Sequence, residues 1–148
     1  MPRLFVYGTL MCPDIFERAS GLAPVGEGAQ VKNHRCLLVK GEKYPGMVRA
    51  HGQSVRGLVY TFPSYIWPCL DAFEGGMYIR KPVTAWYEGG KRELVQSYLF
   101  RPEWRSRLSR TPWDFETFLA QDKAAFMQAH APSEVVQAGV MKPPFRRP

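Results

Sequence analysis

At 148 residues, with 45% hydrophobic and 22% charged side chains, the chain has the size and composition of a single domain that buries a core without metals or disulfides. Its formal charge of +7 raises the question of an anionic partner. No apolar run nears the ~20 residues of a membrane-spanning helix. The opening Met-Pro-Arg lacks the length and cleavage site of a signal peptide, so a cytoplasmic location without a membrane partner is expected.

Cys12, Cys36 and Cys69 are odd in number and scattered, and His34, His51 and His130 have no ligand spacing. No metal site, cofactor or disulfide framework is expected. Cys12, beside a helix start, is the one thiol placed for mild activation.

The first element is a buried strand over Leu4-Phe5-Val6 that runs into Tyr7-Gly8-Thr9-Leu10, a turn that points backbone N–H groups beyond the strand tip. Such a turn suits a carboxylate without spending a charged side chain. Cys12 to Arg18 reads as a short helix with Pro13 in its first turn, Asp14 at the positive end of its dipole and Gly21 as its stop. Val31 to Lys40 reads as a strand, and Gly41-Glu42-Lys43 as a turn. Tyr44-Pro45-Gly46 fixes the backbone, either as a plain turn or as a rigid mount for the tyrosine ring.

Val55 to Phe62 is a further strand in which Gly57 signals a bulge or a close backbone approach. Ser64 offers an N-cap to a helix with Ile66, Leu70 and Phe73 on one face, ending at Glu74 before Gly75-Gly76. Pro68 implies a late start or a kink. Tyr78 to Tyr87 and Glu93 to Phe100 form a hairpin across Gly89-Gly90.

Arg101 to Arg110 is a basic loop. Thr111-Pro112-Trp113-Asp114 carries a cap, a first-turn proline and an acid for a second helix that ends near His130. Residues 131–148 read as a flexible or loosely docked basic, proline-rich tail after a domain of residues 1–130. The fold class is α+β: a small, mostly antiparallel curled sheet or barrel with short helices. The positive charge falls largely on the 101–110 loop and the tail, the pattern of a solvated surface, which argues against nucleic acid as the main partner.

One segment holds a carboxyl in an unusual place. Glu74 would end a helix, where the dipole disfavours its charge, and burial near a pocket would add to that effect. Asp71, one turn earlier, is its rival. Tyr78 and Arg80 share a face of the next strand, either as a surface pair or as a pocket hydroxyl beside an arginine that holds a carboxylate. The plain alternative for Glu74 is a solvated helix end.

In order, Phe5 to Met11, Tyr44-Pro45-Gly46-Met47, Gly57 to Tyr60, Leu70 to Gly75 with Tyr78 and Arg80, and Trp113-Asp114-Phe115-Glu116 resemble the γ-glutamylcyclotransferase superfamily. The likeness is greatest to the branch named after a plant avirulence-induced gene, and spans residues 3 to 128. It implies a small mixed β-barrel flanked by helices, and cyclisation of a γ-glutamyl group to 5-oxoproline with release of the attached amine or amino acid. By position it implies Glu74 as the catalytic acid/base and Tyr7, Gly8, Thr9 and Leu10 as the binders of the glutamyl group, with Tyr44 and Tyr78 as pocket walls. The expected partner is a small γ-glutamyl compound whose leaving group stays open, as does the oligomeric state. Two alternatives stay open beside it: a non-catalytic module that binds a γ-glutamyl ligand on the same fold, and a basic protein that binds an anionic partner through its loop and tail.

Overall fold

The computed structural model describes residues 1–129. The expected tail and the helix end at His130 lie outside the described residues. Strand β1 (Arg3–Val6) is central, because its side chains alternate between two cores. Phe5 joins the barrel interior with Val31, Met47, Val55, Val83 and Val95. Leu4 and Val6 face a second core with Phe16, Ile66, Leu70, Phe118 and Phe126, where the helices pack.

Around β1 run β2 (Gly26–Val39), β3 (Pro45–Thr61), β4 (Tyr78–Tyr87) and β5 (Arg92–Phe100). The order β3-β1-β5-β4-β2, closed by β2 pairing with β3, makes a five-stranded barrel, and β6 (Leu108–Pro112) adds to β2 as an outer strand. Among the described residues only the β1–β5 pair is parallel, with Phe5 opposite Ser97; the other pairings are antiparallel. The barrel with short helices is the architecture expected from the sequence.

The expected strands run longer at their starts, since β2 begins at Gly26 and β3 at Pro45. Gly57 marks a close backbone approach: a Cβ there would lie 2.1 Å from the Val6 carbonyl oxygen. Helix α1 (Pro13–Ser20) ends as expected at Gly21, which has a φ of 81° and donates its N–H to the Glu17 carbonyl. Helix α2 (Trp67–Glu74) starts late enough to take Pro68 into its first turn. Ser64 opens a separate 3₁₀ turn (Ser64–Ile66) and gives α2 no side-chain cap.

The cap expected at Thr111 belongs to Asp114. Pro112 pairs with Leu37 at the end of β6, an edge position that tolerates proline. The Asp114 carboxylate accepts the Thr117 N–H at 2.8 Å and opens α3 (Phe115–Thr117). A π-helical turn (Phe118–Asp122) and α4 (Lys123–Ala129) continue the run. The basic segment is ordered into a 3₁₀ helix (Pro102–Arg107) before β6. Among the described residues, no helix is long and apolar enough to cross a membrane.

Candidate active site

β1 ends at Val6, and the chain turns at once into a 3₁₀ turn over Thr9–Met11. Within it Met11 donates its N–H to the Gly8 carbonyl and Cys12 to the Thr9 carbonyl, both at 3.0 Å. The N–H groups of Thr9 and Leu10 precede these donors and have no acceptor inside the turn. Gly8 is a glycine for reasons of space: a Cβ would stand 2.9 Å from the Pro45 ring. The turn is thus pressed against the start of β3, whose preceding residue is Tyr44.

The second component arrives from α2. Glu74 is its last residue and half-buried, and Gly75 follows with a φ of 79°, a conformation that favours glycine. Tyr7, Gly8, Thr9, Leu10, Tyr44, Glu74 and Tyr78, all singled out from the sequence, line one cavity together with Phe5, Val6, Pro45 and Tyr98. Glu74 is the one acidic side chain among these lining residues. The enclosed space is about 20 Å³, room for about one water, so a larger ligand must part the walls. Tyr44, half-buried with its ring edge-on to Phe126 at 6.4 Å, forms one of those walls.

The phenols are fixed by hydrogen bonds. Tyr7 donates to the Tyr98 carbonyl at 2.6 Å and accepts the Met47 N–H at 3.3 Å. Tyr78 donates to the Pro45 carbonyl at 2.6 Å. Burial first, then the nearby Glu74 carboxylate, pushes the Tyr7 phenol well above its ordinary value; burial and its acidic neighbours do the same to Tyr78. Both are therefore neutral phenols near neutral pH.

Asp71 and Arg80 separate from Glu74 in role. Asp71 accepts the Tyr98 hydroxyl at 2.6 Å and pairs with Arg80 at 3.4 Å. The Arg80 guanidinium carbon lies 4.0 Å from the Trp67 ring centroid, and its buried Nη1 is close enough to Asp71 for an ion pair but not aligned for a hydrogen bond. The arginine thus holds a structural carboxylate, and Asp71 is absent from the cavity lining.

Pro45 and Tyr98 are lining residues that sequence reasoning missed. Pro45 sits inside the singled-out Tyr-Pro-Gly triplet, whereas Tyr98 reads only as one aromatic of a strand. Cys12 is not activated: it is buried, and burial pushes its thiol up to about 11. Among the described residues no group of three or more His, Cys, Asp or Glu side chains could hold a metal ion.

A family model described as gamma-glutamyl cyclotransferase, AIG2-like, matches residues 4–115 and so takes in every component of this site. The chain belongs to that family. Among curated proteins no sequence matches. Solved structures share the cyclotransferase-like fold. A protein from Arabidopsis thaliana is 24% identical, covers 97% of this chain and 95% of its own, and superposes with a TM-score of 0.64. A structure described as a gamma-glutamyl cyclotransferase is 18% identical over 68% of this chain and 66% of its own, with a TM-score of 0.59. An AIG2-like protein from Mus musculus is 21% identical over 77% of this chain and 88% of its own, with a TM-score of 0.56. At these identities the likeness speaks for the fold.

Proposed function

We propose that the protein is a γ-glutamylcyclotransferase: it cyclises a γ-glutamyl group to 5-oxoproline and releases the attached amine or amino acid. The observation that carries this reading is the convergence of the Tyr7–Leu10 turn and a single carboxyl, Glu74, on one narrow cavity. Family membership supports it independently.

The reaction asks little of a protein. The substrate's α-amine attacks its own γ-carbonyl, so holding the two together supplies much of the rate. The new bond joins the α-nitrogen to the γ-carbon, and the bond from that carbon to the leaving nitrogen breaks. Thr9 and Leu10 offer N–H groups to the glutamyl carboxylate or to the developing oxyanion. Glu74 takes the proton lost by the attacking nitrogen and returns it to the leaving nitrogen, which balances the step without an outside acid. Tyr7 and Tyr78, as neutral phenols committed to carbonyls, shape the pocket. No cofactor enters this chemistry, and the partner is a small γ-glutamyl compound. Free cysteines at positions 12, 36 and 69 fit a reducing, cytoplasmic setting.

The test is release of 5-oxoproline from a panel of γ-glutamyl amino acids and γ-glutamylamines. Glu74→Gln keeps the shape and removes the titrating proton, and is expected to lower kcat by roughly 10²–10⁴-fold. Turnover by the variant at the parent rate would remove Glu74 from the mechanism. Saturable binding of these compounds without any turnover would favour a ligand-binding module.

A further inference from the structure

The β2–β3 ribbon carries a bulge at its middle. Pairing is regular from Leu38–Pro45 to His34–Arg49 and resumes at Lys32–Ser54, so that Asn33 alone faces the four residues from Ala50 to Gln53. Asn33 has a φ of 59° and Gly52 a φ of 79°, and the Asn33 side-chain carbonyl accepts the Gly52 N–H at 3.0 Å. Residues on both sides of the bulge, Arg35 to Leu37 and Gln53 to Arg56, line one cavity. The cavity holds about 350 Å³, far larger than the enclosed space at Glu74 and within the range of small-ligand sites.

Its lining has an unbalanced charge. Arg35 comes from β2, Arg56 from β3 and Arg110 from β6, and no Asp or Glu lines the cavity. Among the described residues none of the three arginines makes an ion pair. Burial pushes up the Cys36 thiol and the Tyr7 phenol, the remaining titratable lining groups, so neither supplies a counter-charge. The far wall is aromatic. Trp113 and Phe115 stand with ring centroids 6.0 Å apart. Trp113 is pinned by its backbone N–H to the Cys36 carbonyl at 3.1 Å and by its indole N–H to the Lys43 carbonyl at 2.9 Å. A fixed ring beside three arginines that make no ion pair among the described residues is a surface suited to an anion with a flat body.

We infer that this cavity is a second ligand site, for a phosphate monoester with a planar body, the chemistry of a mononucleotide. A phosphate monoester brings close to two negative charges and three acceptor oxygens, enough for more than one guanidinium fork, where a single carboxylate matches one. A planar body stacks on an immobilised aromatic wall. The site is separate from Glu74; the two cavities share only Tyr7 as a lining residue, and the inference is independent of the cyclisation reading.

Isothermal titration of the full chain with adenosine monophosphate, inorganic phosphate and adenosine tests it, alongside Arg35→Gln and Arg110→Gln. Saturable binding of the nucleotide is expected, tighter than either half-molecule and weakened about tenfold or more in each variant. Circular dichroism of the variants checks that the fold is kept. A short single-stranded oligonucleotide that binds more tightly than the mononucleotide, with the same arginine dependence, would support the same chemistry presented by a strand. Three results would each overturn the inference: no saturable nucleotide binding at millimolar concentration, inorganic phosphate binding as tightly as the nucleotide, or nucleotide binding unchanged in both variants.

Discussion

The Tyr98 hydroxyl donates to Asp71 at 2.6 Å, one helical turn before Glu74, while the Tyr98 backbone carbonyl accepts the Tyr7 hydroxyl at 2.6 Å. One residue of β5 therefore ties the helix that ends in the candidate acid/base to the strand that leads into the candidate binding turn. In the proposed mechanism the Glu74 carboxyl reaches two nitrogens in sequence, which asks that its helix be held in place. The Asp71–Tyr98 bond, backed by Arg80 on Trp67, does that from a residue that itself lines the cavity.

Tyr98→Phe keeps the backbone link to Tyr7 and removes only the phenol. The change should cost about 0.5–1.5 kcal/mol of stability, read from urea denaturation, because Asp71 retains Arg80. It should also lower kcat for 5-oxoproline formation more than it changes KM, since the helix carrying Glu74 loses a tether. An unchanged kcat would show that Tyr98 matters for stability alone.

That relationship was not legible in the sequence, whereas the residues it organises were. The Tyr-Gly-Thr-Leu turn, the Tyr-Pro-Gly triplet and the helix-ending Glu74 are local signals whose backbone demands show in their own residue types. Tyr98 owes its place to register across strands, and no local pattern sets that register. The same distinction explains the cap. Thr111-Pro112 has the composition of a helix start, but pairing with Leu37 makes it a strand end and hands capping to Asp114. The bulge at Asn33 also escaped notice, because it arises from unequal residue numbers on two strands rather than from a turn motif.

Two glycines separate packing from function. A Cβ at Gly57 would stand 2.1 Å from the Val6 carbonyl oxygen, just past the last β1–β3 pair, Val6 with Leu58. Backbone must move, and Gly57→Ala should lose upwards of about 3 kcal/mol or fail to fold. At Gly8 the clash is with the edge of the Pro45 ring at 2.9 Å, a side chain and not backbone. Gly8→Ala should fold at a cost of about 1–3 kcal/mol, and raise KM because Pro45 and the turn both line the cavity. Equal denaturation midpoints for the two variants would contradict this ordering.

The buried phenols set an alkaline limit. Tyr7 and Tyr78 have folded-state proton affinities well above the ordinary value of 10.0, with burial the largest cause. A raised folded-state value contributes stability that is fully present below pH 10 and lost as pH rises towards the folded-state value. Phenolate absorbance at 295 nm should therefore show a late group of tyrosines that ionises only together with loss of near-ultraviolet circular dichroism. Smooth titration of every tyrosine near pH 10 in the folded protein would contradict the assignment.

Asp14 and Lys123 make the corresponding test at the acid end of the pH range. Their side chains meet at 2.8 Å and join the start of α1 to α4. Arg18 reinforces the same contact by donating to the Met127 carbonyl at 3.0 Å. The hydrogen bond from Lys123 lowers the Asp14 carboxyl below its ordinary value of 3.8, and the same bond raises Lys123 above 10.5. The carboxyl's contribution is thus full above about pH 3.8 and fades as pH falls through its lowered folded-state value; the ammonium's is full below 10.5 and fades above it. Asp14 is 53% exposed, so solvent limits the pair to about 0–1 kcal/mol. A double-mutant cycle with Asp14→Ala and Lys123→Ala should show a coupling that is flat from about pH 5 to 9, shrinks towards zero at pH 2, and falls with added salt. A coupling that persists undiminished at pH 2 would mean that the two helices are joined by packing and not by this pair.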